Sequence, residues 1–419
     1  MADPRPLAGY RLLARLAVPL AGRLLRGAAA RRGHQGRLAA PADLAAWART
    51  ARDPSRPLVW LHAASVGEGL QAAAVAEALR TSRPDIQLLM TRFSASAERI
   101  AGRLPADHVG YLPYDRLTDV TATLDAVRPD AVVFTKVDVW PELATAAARR
   151  GSRVGLVAGT VDPGSSRLRW PARAFSAPGY RAIAAAGAVS QDSAERLVQL
   201  GVAPGRITVT GDPRVDSALA IVERADAGPR DDRLLVAGST WREDELVLLE
   251  AFAQVRTRHP EARLMLVPHE PDEQAVASIA ARAASLALPT PVTWPRTGPL
   301  VVVRAMGVLA ARYLEGGLAW VGGGFGTRGV HSLLEPAAAA APIAIGPHDR
   351  GGRDAALLAS AGALTRLPAD AATAALVHWW SEALEDPQAM RERGARARAA
   401  LAPDREAARR SAELVVGLL

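Results

Sequence analysis

Short apolar runs rich in β-branched residues recur along this chain, and helical patterns separate them. The runs lie at 58–63, 86–90, 131–135, 154–157 and 207–210, and again at 234–237, 263–267, 301–303, 318–321 and 342–345. Helical periodicity fills the gaps, as at 70–80 and 118–127. Strands that are apolar throughout, rather than alternating, are buried on both faces. That pattern predicts parallel sheets covered by helices. Residues 217–232 (SALAIVERADAGPRDD) break the rhythm with Gly, Pro and clustered charge, and read as an interdomain linker. A length of 419 residues exceeds one ordinary core. The expectation is an arm over 1–50, an α/β domain over 51–220 and a second over 221–419 with a helical tail from 370. Ligands of such sheets bind beyond the carboxyl ends of the strands, here in a cleft between the two domains.

The charge is concentrated in the arm. The formal net charge is +8, and nine Arg against Asp3 and Asp43 place +7 of it in the first 50 residues. A basic body would suggest nucleic acid; a basic arm on a near-neutral body suggests an anionic surface. In GYRLLARLAVPLAGRLLRG (9–27), Arg11, Arg15, Arg23 and Arg26 project to one side of a helix, and Leu13, Leu16, Leu20 and Leu24 to the other. The run is too short and too often broken by Arg to span a bilayer, and it lacks the small-residue cleavage site of a signal peptide. A basic amphipathic helix at a membrane interface fits it. The alternative is a surface helix packing on its own domain.

No cysteine is present, which removes disulfides and thiol chemistry. The eight His are scattered, and no metal centre is expected. Trp379–Trp380 reads as core. Only one of the 51 basic side chains is a lysine, Lys136.

Candidate chemistry clusters at strand ends. Glu68, in SVGEG after the first strand, sits at a helix start; it can act as a general base or serve as a dipole-complementing acid. Lys136 follows AVVFT and could stabilise developing charge, although the local pattern favours a salt bridge to Asp138 or Glu142. Arg214, in TGDPRVD, suits a phosphate or carboxylate; an exposed turn arginine is the plainer reading. Gly238, Ser239 and Thr240 lie between a strand and a helix, where backbone N–H groups can hold a phosphate. GGGFGTRGVHSLLEP (322–336) is a glycine-rich loop predicted to open a helix at His331, with Glu335 on the same face and able to hold ribose hydroxyls.

Together these stretches resemble the 3-deoxy-D-manno-octulosonic acid (Kdo) transferase family. The matching motifs, in order, are WLHAASVGEG, YLPYD, FTKVDVWPEL, VSQDSAERLVQLGV, ITVTGDPRVD, VAGSTWREDE, LVPHEPDE, AMGVL, WVGGGFGTRGVHSLLEP and IGPHDRGGRD. The resemblance spans nearly the whole chain. It implies a GT-B fold of two Rossmann-like domains and inverting, metal-independent transfer of Kdo from CMP-Kdo to the lipid A precursor (lipid IVA) in lipopolysaccharide synthesis. It implies no cofactor besides that donor, and a peripheral or monotopic position on the cytoplasmic face of the inner membrane. Glu68 falls on the family's catalytic glutamate and Arg214 on its transition-state-stabilising basic residue. Pro268 and His269, Ala305, Met306 and Gly307, and Ser332, Leu333, Leu334 and Glu335 fall on the CMP-binding segments. The commonest family pattern has an acid at position 136, Arg at 269, an acid at 308 and Asn-Pro at 332–333. This chain resembles a branch with Lys before the x-[DE]-x-W stretch. Other expectations consistent with the motifs are a different GT-B glycosyltransferase, a nucleotide-sugar epimerase, or a non-catalytic CMP-binding membrane protein.

Overall fold

The computed structural model describes residues 8–95, 102, 104–349 and 352–419. The chain divides into two compact units, Met1–Ser217 with Asp404–Leu419, and Ala218–Pro403.

The first unit runs α1 (Ala8–Leu24), α2 (Ala28–Ala51), β1 (Leu58–His62), α3 (Val66–Ser82), β2 (Gln87–Arg92), β3 (His108–Tyr111), α4 (Leu117–Val127), β4 (Ala131–Thr135), α5 (Pro141–Arg149), β5 (Arg153–Gly159), α6 (Ala172–Arg181), β6 (Ala185–Ala188), α7 (Gln191–Leu200), β7 (Ile207–Val209) and α8 (Pro213–Arg224). Its sheet has the order β3-β2-β1-β4-β5-β6-β7, and every pairing is parallel. Every residue of β1 and β4 is buried, as strands covered on both faces require. Trp60 is fully buried, yet its indole N–H is satisfied by the Thr91 hydroxyl at 2.8 Å.

The second unit runs β8 (Asp231–Thr240), α9 (Arg242–Arg258), β9 (Arg263–Pro268), α10 (Glu273–Ser285), β10 (Val292–Thr293), β11 (Leu300–Val302), α11 (Leu309–Glu315), β12 (Gly316–Val321), α12 (Leu334–Ala338), β13 (Ile343–Ile345), α13 (Arg353–Ser360), β14 (Leu364–Arg366), α14 (Ala372–Glu385) and α15 (Pro387–Ala400). Its parallel sheet has the order β10-β11-β9-β8-β12-β13-β14. Trp379 and Trp380 are core residues as expected, and Trp380 stacks on Phe252 with centroids 5.5 Å apart. Each unit is thus a Rossmann-like half of a GT-B chain.

Two expectations need correction. The tail does not stay with the second domain: α16 (Ala407–Val416) belongs to the first unit. Its Ala412 and Val415, with Leu418 beyond them, join the core formed by Val59, Leu61 and Val75. The helix expected at His331 begins only at Leu334 and is five residues long. The amide of His331 instead donates to Gly322 O at 3.2 Å, which ties it to the glycine loop. His331 and Glu335 therefore share no helical face.

Helix α1 is built with its leucines outward. Leu12, Leu13, Leu16, Leu20 and Leu24 are between 52% and 67% exposed, while Val18 faces inward. Polar contacts hold the inner face. Arg11 forks onto the fully buried Glu142 carboxylate at 2.8 and 2.9 Å, and the Tyr10 hydroxyl donates to Asp115 at 2.5 Å. Asp115 in turn accepts the amides of Glu142 and Leu143, capping α5. Burial pushes the Asp115 carboxyl up to about 6 despite these donors. Among the described residues, no helix is long and apolar enough to cross a membrane.

Candidate functional site

The carboxyl end of the first sheet gathers the predicted catalytic residues. Ser65 caps α3 in extended conformation, its hydroxyl accepting the Glu68 amide at 3.4 Å. Glu68 Oε2 reaches back to accept the Ala64 N–H at 2.8 Å. This is close to a capping box, shifted one residue, and it fixes the carboxylate at the strand end. The second oxygen, Oε1, takes no hydrogen bond among the described residues. The capping role and an acceptor-facing role therefore coexist in one side chain.

One turn along α3, Gln71 donates to Asp212 at 3.2 Å. Asp212 is 1% exposed and receives the Arg214 guanidinium at 2.7 to 3.2 Å. Burial works to raise the Asp212 pKa, but the Arg214 charge and hydrogen bonds outweigh it, so the carboxyl lies below the ordinary range. Arg214 is thus no loose turn residue. It is oriented from beneath by a buried acid, and Gln71 links that acid to the helix of Glu68.

Lys136 has a left-handed backbone with φ 65°, an uncommon conformation for a side chain with a Cβ. Its amide donates to Val157 O at 2.9 Å, anchoring the turn to β5. The salt bridge favoured by the local sequence does not form among the described residues, because both acids are taken. Glu142 pairs with Arg11 and Arg149, and Asp138 with His62 and Arg167.

A polar chain that the sequence did not reveal runs beside Lys136. His62 is fully buried at the end of β1, with Nε2 3.2 Å from Asp138 and Nδ1 3.0 Å from the Thr91 hydroxyl. A carboxylate only accepts, so Nε2–H donates to Asp138, while Nδ1 lies between the Thr91 hydroxyl and the Thr91 carbonyl oxygen, 3.1 Å away. Trp140 also donates to Asp138, at 3.0 Å. Burial acts to raise the Asp138 pKa, but His62, Trp140 and Arg167 together hold it low.

The second sheet presents a different surface at its carboxyl end. Gly238 ends against Tyr313, where an added Cβ would sit 2.1 Å from the hydroxyl. Ser239 has φ 52°, and Thr240 donates to Glu245 at 3.0 Å. The start of α9 is already capped: the Asp244 carboxylate accepts the Trp241 amide at 2.9 Å and the Gly323 amide at 2.8 Å. Beyond β9, His269 stacks on His331 at 4.4 Å and lies tilted by 30° against Trp241 at 4.5 Å. The Trp241 indole donates to His331 Nε2 at 3.0 Å, which requires that nitrogen to be unprotonated. Burial, then the neighbouring His269, lower the His331 pKa in the same sense. Arg328 lies 3.9 Å over the Trp241 ring. The outcome is a cluster of aromatic and imidazole rings, and Trp241 and Arg328 were not singled out from sequence.

Pro268 ends β9, beside this cluster. In the loop after β11, Met306 is 76% exposed and Gly307 has φ 80° with open space around its Cβ position. Ser332 is exposed, whereas Leu333 and Leu334 are buried, so only their main chain is available to a ligand. Burial raises the Glu335 pKa. Among the described residues, no three His, Asp or Glu side chains converge as metal ligands.

Known proteins resemble this chain in sequence and in fold. Residues 33–217 match the family model for the 3-deoxy-D-manno-octulosonic-acid transferase (kdotransferase). The 3-deoxy-D-manno-octulosonic acid transferase of Bordetella pertussis is 29% identical over 409 residues, covering 91% of this chain and 93% of that protein. The enzyme of the same name from Chlamydia trachomatis serovar A is 28% identical, covering 70% of each chain. In fold, the chain is similar to a UDP-GlcNAc 2-epimerase from Neisseria meningitidis, with a TM-score of 0.59 at 12% identity, covering 86% of this chain and 99% of that one. Over most of its length the chain is thus similar to 3-deoxy-D-manno-octulosonic acid transferases, and the match to that family's model lies in its first unit.

Proposed function

We propose that this chain transfers Kdo from CMP-Kdo to the lipid A precursor, inverting at the anomeric carbon and without a metal. The carrying observation is the Glu68 carboxylate, fixed through Oε2 by the Ala64 amide and joined through Gln71 and Asp212 to Arg214. Glu68 Oε1 takes the proton of an acceptor hydroxyl. The hydroxyl oxygen bonds to the anomeric carbon, and the bond from that carbon to the phosphate oxygen breaks with its electron pair. CMP leaves, and Arg214, with Lys136, stabilises the charge that grows on the phosphate. In the second unit, the Trp241–His269–His331 cluster, with Pro268, the 305–307 loop, Ser332 and Glu335, receives the nucleotide, and the amides near 238–240 serve its phosphate. The outward leucines of α1, flanked by exposed Arg15 and Arg23, support a peripheral position on the cytoplasmic face of the inner membrane.

The test is transfer from CMP-Kdo to the lipid A precursor, read by product mass, for wild type and Glu68→Gln together. Gln keeps an acceptor for the Ala64 amide, so the melting temperature should hold. The rate should fall on the order of 10²–10⁴-fold. A Glu68→Gln variant with near-full rate removes Glu68 as base. A folded wild type that binds CMP but transfers nothing overturns the reading, and conversion of the donor without an acceptor would favour an epimerase.

A further inference from the structure

A cavity of about 720 Å³ lies in the first unit against α1, α2 and the turns after β2 and β3. Ala21 and Leu25 line it from the first helix and its end, Ala30 from the second, and Phe93 and Tyr114 from the turns. Arg37 is in the same wall and is only 4% exposed. Its guanidinium carbon sits 3.7 Å from the Phe93 ring centre and 4.0 Å from that of Tyr114. Its Nε makes one long hydrogen bond, 3.4 Å to Leu112 O. Its Nη2 is buried with no hydrogen-bond partner, and no salt bridge to Arg37 forms among the described residues. Burial pulls its pKa down to about 10. Asp115 and Asp138 offset part of this charge from beyond salt-bridge distance, but a buried cation without a direct ion pair is costly to keep, so a ligand that brings its own anion would gain by pairing with it.

The cavity wall is also hydrogen-bonded to the residue that holds the proposed base. The amides of Phe93 and Ser94 both donate to Ala64 O, at 3.2 and 2.9 Å. The amide of the same Ala64 donates to Glu68 Oε2. One residue therefore joins the cavity wall to the proposed base. Arg15, Arg23 and Arg26, by contrast, are exposed, as a bilayer-facing cation would be.

We propose that this cavity is a subsite for the acceptor, in which Arg37 pairs with an anionic group, a phosphate or carboxylate, and the Ala and Leu wall takes the proximal part of an acyl chain. The inference rests on the reading of the acceptor as a lipid. It assigns Arg37 to acceptor specificity and not to membrane attachment.

The experiment compares wild type with Arg37→Met, which keeps bulk against the aromatic rings without charge. The acceptor KM should rise on the order of 10- to 100-fold, as expected for loss of a charge-assisted hydrogen bond. Turnover and the CMP-Kdo KM should change by less than about threefold. Wild type should prefer the intact lipid A precursor over a phosphatase-treated sample, and Arg37→Met should lose that preference. Binding to anionic vesicles should be the same for both. Unchanged acceptor KM and preference in Arg37→Met overturns the subsite, as does loss of vesicle binding in step with activity, which assigns the anion to the bilayer. Ala30→Phe, which fills the cavity and leaves Arg37 in place, covers the case of a misfolded Arg37→Met: it too should raise the acceptor KM, and an unchanged value sinks the proposal. Direct binding of the precursor in detergent, with and without Arg37, separates failure of this subsite from failure of the transfer reaction.

Discussion

Individual side chains here carry a pH dependence that the fold makes visible. Glu245 is 6% exposed in the first turn of α9, and burial pushes its carboxyl up to about 7. The adjacent Asp244 is pushed up to about 6, again chiefly by burial. A carboxyl with a raised folded-state pKa holds a proton that the unfolded chain has already lost. Its stabilising share is therefore full below the ordinary value near 4.5 and is lost as pH rises through about 7. Glu245→Gln, which still offers an oxygen to Thr240, should remove on the order of 2 kcal/mol of that slope. Thermal melts of wild type and variant at pH 5 and pH 8 read it: the gap between the two pH values should narrow in the variant, and an equal gap would show that Glu245 is ionised in the fold throughout. Such behaviour was illegible in the sequence, because it depends on burial. Glu68 was legible, since Ser, two residues and Glu after an apolar run is a local signature of a helix start. The His62–Asp138 and Trp241–His331 pairs were not, because their partners lie 76 and 90 residues apart.

Whole elements were legible where the strand is apolar along its length, as in β1, β4 and β9, and lost where it is not. β3 reads HVGY, β6 reads AAGA and β14 reads LTR, each too short, or too interrupted by Gly and charge, for its few strand-favouring residues to form a run. In β6 the small residues are dictated by a neighbour: a Cβ on Gly187 would meet the Thr210 hydroxyl at 2.6 Å. Helix α1 shows the reverse case, a pattern read correctly whose direction only the fold supplies. Periodicity separates Arg from Leu but does not say which side faces the protein. The Arg11–Glu142 and Tyr10–Asp115 bonds say so. Replacing Leu13, Leu16 and Leu20 together with Glu should therefore cost the fold little, within about 1 kcal/mol for exposed positions. It should abolish co-sedimentation with anionic vesicles, since both the apolar contact and the charge complementarity are lost. Retained vesicle binding in this variant would refute attachment through α1. A large fall in melting temperature would mean that the leucines cover another part of the protein.

On the scale of the molecule, the chain returns to its beginning. The stretch 217–232, expected as a linker from Gly, Pro and charge, lies at the boundary between the units, yet residues 217–224 continue α8 and 231–232 open β8, and nothing local marks the last helix as belonging to the first half. Its fit is written in distant partners. Asp216 accepts the Glu406 and Ala408 amides at 2.7 Å each, capping α16 from the start of α8. Arg410 donates to Thr210 O at 2.9 Å. Gly155 on β5 leaves room for Leu418, whose Cδ1 would lie 2.6 Å from any Cβ there. Removing residues 404–419 would uncover Leu61, Val75 and Val133 and lose the burial of Val415 and Leu418. At about 1.5–3 kcal/mol per large side chain, that loss is on the order of 5 kcal/mol with the caps included, comparable to the whole net stability of a domain. A chain ending at Pro403 should therefore show collapsed hydrogen-exchange protection in β1, β4 and β5, while β8, β9 and β12 keep theirs. Transfer should vanish with the first unit, because Asp212 and Arg214 sit in the segment that α16 covers. CMP binding by the second unit should persist. Equal protection of β1 in both chains would show instead that the first core closes without its last helix, and that the return of the chain serves only to tether the tail.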